Sequence, residues 1–283
     1  MTMSWKAALL LASFSATAPA QTLSGPESVE FHPRSGRQLV SNKNGGNVLW
    51  RSATGTLSTF TSAPTAPYGI ELLRGTVYVL DSGSLRGYDV DTAAPVLNLA
   101  ITNAQFLNGI ASDGDHTLYI TDFNAKGLLK VDVTDLANPV QTPLHTLPSK
   151  PNGVVYDKAN RRLLIATWGS DGVLSYDIAA NTAPAPLITA TGFSNIDGIA
   201  LDCNGHLHIA AWSCPGGGGC LARFEPPFTT ASPATIVASS LSSPADIDFD
   251  VRGGAIGVPE SGANRVTLVP VCAPALFTDD FER

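Results

Sequence analysis

Pro151-Asn152-Gly153-Val154-Val155-Tyr156 is followed by Leu163-Leu164-Ile165-Ala166 and then by Val173-Leu174-Ser175-Tyr176. This stretch decides the fold. It reads as a turn, a short apolar strand, a polar turn, a second strand, a Gly/Ser loop and a third strand. The opening phrase recurs as Pro26-Glu27-Ser28-Val29, Pro67-Tyr68-Gly69-Ile70, Leu107-Asn108-Gly109-Ile110, Ile196-Asp197-Gly198-Ile199 and Pro244-Ala245-Asp246-Ile247. Its third position falls at 28, 69, 109, 153, 198 and 246, spacings of 41, 40, 44, 45 and 48 residues. A period of that size marks an array or a propeller.

Each unit repeats the second and third strands, as in Leu118-Tyr119-Ile120-Thr121 and Leu128-Leu129-Lys130-Val131. A weaker fourth strand closes most units, as at 57–61, 96–101 and 144–147. No helical period of 3.6 stands out. Four antiparallel strands per unit, six times over, predict an all-β chain folded as a six-bladed β-propeller. The last unit lacks a fourth strand after Val269. Gln21-Thr22-Leu23 precedes Pro26 as His145-Thr146-Leu147 precedes Pro151, so this N-terminal strand is expected to close the ring. Two tandem β-sandwiches would leave the six-fold phase unexplained.

The composition agrees. Of 283 residues, 44% are hydrophobic, enough for a core, and only 14% are charged, which argues against long exposed helices. The net charge of −7 lacks the basic face that nucleic acid requires, so no nucleic-acid partner is expected. Met1 to Lys6, the small apolar run Ala7 to Ala16 and Ala18-Pro19-Ala20 follow the order of a signal peptide. Residues 1–20 are therefore expected to be cleaved near Ala20, with export to the periplasm or medium. Residues 21–271 form the propeller and 272–283 a short tail. No later run is long enough to span a membrane, and a monomer is expected.

In a propeller the loop entering each innermost strand rims one mouth of the channel. The residues there are Glu27, Tyr68, Asn108, Asn152, Asp197 and Ala245. Four offer oxygen ligands, neighbouring columns add Glu30, Glu71, Asp246 and Asp248, and no Lys or Arg occupies these columns. Such oxygens suit a hard divalent cation, Ca²⁺ first, with Mg²⁺, Mn²⁺ or Zn²⁺ as alternatives. Asn-Gly and Asp-Gly are also ordinary turn dipeptides; three in phase with a Glu point beyond turn formation. Glu30 offers a competing register for Glu27. Trp168 and Trp212 follow the second strands of blades four and five and face the same mouth, suited to wall a substrate pocket. Asn42, Asp81 and Asp122, in the preceding column of the first three blades, read mainly as loop-fixing side chains.

With these motifs, residues 21–271 resemble the senescence-marker-protein/gluconolactonase (regucalcin-like) family. The resemblance implies one divalent cation at the mouth, held by Glu27, Asn152 and Asp197. It also implies Asp197 as general base, Asn108 beside a small-molecule substrate, and hydrolysis of a lactone or related ester. Phe106 and Leu107 stand where the resemblance implies a substrate Arg, and Asn108-Gly109 replaces the family's Asn-Asp. The alternatives are a non-catalytic secreted propeller that binds a protein or glycan, and a strictosidine-synthase-like enzyme with a mouth-facing acid and no metal.

The four cysteines suit export. Cys214 and Cys220 bracket Pro-Gly-Gly-Gly-Gly and can close a small loop, and Cys203 and Cys272 belong to the opposite rim and can pair. Three pairings are open on sequence alone. His206 and His208 share one strand face without a third ligand, which reads as structural.

Overall fold

The computed structural model describes residues 21–169, 172–189 and 191–274. The signal peptide expected at 1–20 and the tail from 275 onward lie outside the described residues. Six antiparallel sheets follow one another along the chain. Their innermost strands are Pro26–Phe31, Pro67–Leu73, Leu107–Ser112, Lys150–Asp157, Ser194–Leu201 and Asp248–Asp250. Each contacts the next, and the sixth returns to the first. The chain is a six-bladed β-propeller, as the repeat predicts. The one helical turn among the described residues is the 3₁₀ segment Lys43–Gly45.

Blade packing explains why second strands read as unbroken apolar runs. In blade four Leu163, Leu164, Ile165 and Ala166 are all fully buried. The two-residue period of a strand sends Leu163 and Ile165 toward Tyr119 and Leu128 of blade three. It sends Leu164 and Ala166 toward Ile199 and Ile209 of blade five. A strand covered on both faces has no polar side to show.

Five sheets have four strands and the sixth has three, Asp248–Asp250, Ala255–Glu260 and Arg265–Pro270. Residues 21–23 reach the expected junction but add no ladder. Leu23 packs on the cluster Val29, Phe31, Val40 and Val266 between blades one and six. The Gly25 N–H donates to Asn264 Oδ1 at 2.7 Å. The Asn42 carboxamide accepts from the Ser24 N–H and donates to the Thr22 carbonyl, occupying main-chain groups that a fourth strand would use. Main chain closes the ring elsewhere, through the parallel bridge Ser28–Asp246 and the Asp246 N–H on the Glu27 carbonyl at 2.9 Å.

All four cysteines pair, Cys203 with Cys272 and Cys214 with Cys220, which suits an oxidising compartment. Cys203–Cys272 spans 69 residues and ties the end of blade six to the turn between the first two strands of blade five. Loop closure over that span is worth about 4 kcal/mol. The double substitution Cys203→Ser/Cys272→Ser should lower the free energy of unfolding in denaturant by about that amount. A loss below about 1 kcal/mol would show that the closed loop contributes little. Among the described residues no helix is long and apolar enough to cross a membrane.

Candidate active site at the propeller mouth

The register of the inner strand slips at the repeated phrase in blades one to five. Bulges lie between Pro26 and Ser28, Pro67 and Ile70, Pro151 and Val154, and Ile196 and Gly198. In blade three the slip lies opposite Asn108–Gly109. A bulge bends the strand and re-aims a side chain, here that of the mouth residue in blades one to five. The glycine column has a matching cause. A Cβ on Gly69 would meet the Asn108 carbonyl oxygen at 2.5 Å, and one on Gly153 the Asp197 carbonyl at 2.7 Å. Gly109 and Gly198 face the carbonyls of Asn152 and Ala245 in the same way. These glycines have ordinary φ angles, so Asn-Gly and Asp-Gly here serve close approach of neighbouring blades rather than a special turn.

Glu27, Asn108, Asn152 and Asp197 are buried at this rim, between 2% and 7% exposed. Asn152 Oδ1 and Asp197 Oδ1 accept no hydrogen bond from any protein atom. Leaving such an acceptor unmet costs on the order of 1–3 kcal/mol, and these two lie in adjacent blades. Burial pushes the Asp197 carboxyl well above the usual carboxylate range. Glu27 and Asp246 add to the rise, and Lys43 and the Trp212 side chain oppose it. Burial likewise raises Glu27 against the pull of Lys43.

Lys43 is the residue that column reading missed. It stands in the 3₁₀ turn after the second strand of blade one, outside the ring columns. Its Nζ nevertheless reaches Glu27 Oε2 at 2.9 Å and lies 5.3 Å from the Tyr68 ring centroid. Burial lowers its pKa, but Glu27, Tyr68 and Asp197 together raise it above the ordinary lysine value. An ammonium thus holds part of the charge that the ring of oxygens would offer to a metal.

Aromatic side chains wall the mouth. Tyr68, Phe106, Phe123, Trp168 and Trp212 meet edge to face in one chain, with successive centroids 4.8, 5.5, 5.9 and 5.1 Å apart. Trp168 and Trp212, each at the end of the second strand of its blade, pack edge to face. Phe123 occupies their column in blade three, a signal present in the sequence. Asn42, Asp81 and Asp122 fix loops. Asp81 accepts from the Thr65 and Ala66 N–H groups and from Arg86 Nε. Asp122 accepts from the Gln105, Phe106 and Ala125 N–H groups.

Glu30 does not belong to the mouth. With Glu71, Asp246 and Asp248 it lines a channel cavity of about 190 Å³, past the ring residues and walled by Ile70, Ile110, Val154 and Ile199. Burial raises all four carboxyls, Glu71 to about 8, Asp246 to about 7 and Asp248 to about 6. His206 and His208 are structural as read, both bonded to Asp202 Oδ2, at 3.0 and 2.9 Å.

Fold and site together define a six-bladed propeller with a buried acidic ring and an aromatic wall at one mouth. Solved structures share its architecture. A gluconolactonase from Xanthomonas campestris superposes with a TM-score of 0.70 at 13% identity, over 89% of this chain and 88% of that one. Virginiamycin B lyase from Staphylococcus aureus gives 0.60 at 14% identity, over 89% and 87%. A chain of a nidogen/laminin complex gives 0.63 at 13% identity, over 83% and 93%. At such identities the likeness shows the fold alone. No protein-family model matches the sequence, and no curated protein matches it.

Proposed function

We propose that this propeller is an exported, cation-dependent hydrolase that opens a lactone or related ester at the mouth. The observation that carries the reading is the pair of buried, unpartnered oxygens, Asn152 Oδ1 and Asp197 Oδ1, beside the acidic Glu27. Three oxygens on three blades fit a hard divalent cation, Ca²⁺ before Mg²⁺, Mn²⁺ or Zn²⁺. When bound, such a cation polarises a carbonyl oxygen and favours the ionised form of nearby acids. Asp197 then takes the proton of the attacking water as general base. Asn108 orients the substrate, and Trp168 and Trp212 shield it from bulk solvent. Water adds to the carbonyl carbon, the C–O ester bond breaks, and the proton held by Asp197 passes to the alkoxide.

Two tests follow from the chain's own groups. A raised Asp197 must release its proton to hold a cation, so affinity should rise with pH. Calorimetry in buffers of different ionisation enthalpy should show about one proton released per site. Lys43 competes for Glu27, so Lys43→Met should tighten Ca²⁺ binding by about tenfold or more. Unchanged affinity would mean that Lys43 and the cation do not share Glu27. A base at Asp197 can also remove a proton from carbon and open an ester by elimination, the chemistry class named by the lyase neighbour. Product analysis separates the two, since hydrolysis adds water and elimination leaves a double bond. The nidogen/laminin neighbour supports a second reading, a binding propeller, which a stable partner without turnover on a broad ester panel would favour.

A further inference from the structure

We infer that the mouth selects a flat, aromatic-bodied ester or lactone rather than a polyhydroxylated sugar lactone, an inference that rests on the hydrolase reading above. The crescent from Tyr68 to Trp212 is one continuous surface across blades two to five. Its ends meet the charged centre, with Tyr68 beside Lys43 and Trp212 acting on Asp197. None of the five residues is fully buried, and Trp212 is 39% exposed. Edge-to-face rings offer an incoming planar ring both faces and edges.

The crescent is held in place. Asp122 accepts from the Phe106 N–H at 3.0 Å, and the Phe123 N–H donates to the Phe106 carbonyl at 2.8 Å. Lys150 crosses to Trp168 in the blade-four ladder and lays its Nζ 4.7 Å from the Phe123 centroid. Two alternatives lose support on the same residues. An organic cation would seek ring faces, but Lys43 and Lys150 each already lie over one face, of Tyr68 and of Phe123, and would repel it. A sugar needs a fan of hydrogen-bonding side chains beside its stacking ring. Here Asn42, Asp81 and Asp122 are spent on their own loops, and Phe106 adds a ring rather than a polar group. A planar aromatic body on the crescent, with its carbonyl over the acidic ring, satisfies both halves of the site.

The test is a tryptophan-fluorescence titration of Asp197→Asn, which lacks the proposed base and should leave the probes intact, using 3,4-dihydrocoumarin, δ-valerolactone and glucono-δ-lactone. Dihydrocoumarin should bind at least about tenfold more tightly than either other lactone, and Phe123→Leu or Trp168→Ala should remove most of that margin. Phe123→Leu, a volume-tolerant change, guards against loss of fold. Equal or tighter binding of glucono-δ-lactone, no binding of dihydrocoumarin, or indifference to both substitutions overturns the inference. Aromatic preference in Asp197→Asn with no ester turnover by the wild type would instead overturn the hydrolase reading and leave the crescent standing.

Discussion

Asp197→Asn should lower ester or lactone turnover by about 10³-fold while the propeller stays folded. The side chain is 3% exposed, and its Oδ1 has no partner in the protein. On the proposed reading it serves as both ligand and base, whereas the other ring carboxylate, Glu27, is paired with Lys43. Asparagine keeps the volume and one oxygen but loses the charge that holds a cation and the site that takes a proton. The fold loses nothing by the exchange. Burial opposes ionisation of Asp197, so a neutral amide is at least as stable there, and increasingly so as the pH rises. The measurement is turnover on the preferred ester together with the melting temperature at neutral and alkaline pH. Retained turnover, or unfolding of the variant, would contradict the assignment.

Glu71→Gln should raise the melting temperature by several degrees at pH 8.5 and leave it almost unchanged at pH 5. Burial lifts the Glu71 carboxyl to about 8, and Asp248 and Asp246 push it the same way. Its folded pKa lies above the unfolded value, so the group's stabilising share is complete below about pH 4.5 and is lost as the pH passes through about 8. Asp246, near 7, and Asp248, near 6, follow the same sign. Wild-type stability should therefore fall from about pH 4.5 up to about pH 8. A tenfold rise in proton affinity on folding is worth about 1.4 kcal/mol before screening by cavity water, so one carboxyl contributes on the order of 1–3 kcal/mol. At roughly 2–4 °C per kcal/mol for a domain this long, the change is readily seen by calorimetry. A wild-type melting temperature that stays flat or rises over this range would show that the channel carboxyls do not carry uncompensated charge.

Much of this architecture was written in one phrase. The period fixes the blade count because each unit must bury its apolar strands against two neighbours. The phase of Glu27, Asn108, Asn152 and Asp197 fixes the mouth because the bulge recurs at the same place in nearly every inner strand. Lys43 was illegible because its role is made by the reach of a long side chain out of a loop, not by its place in a strand. The aromatic crescent was half legible. Trp168 and Trp212 stood out as large residues after second strands, while Phe123 in the same column and Phe106 before the ring position draw meaning only from adjacency across blades. Alternation around the bulge sent Glu30 and Glu71 into the channel instead of the mouth. The N-terminal segment departed from its ladder because Asn42 and Asn264 capture its main-chain groups.

The central claim is that the mouth oxygens hold a divalent cation. Isothermal titration of Ca²⁺, with Mg²⁺, Mn²⁺ and Zn²⁺ in parallel, into chelator-treated protein tests it most directly. The account predicts one binding site in the wild type and none in Asp197→Asn. Absence of binding for all four cations, or a site that survives Asp197→Asn unchanged, would contradict it.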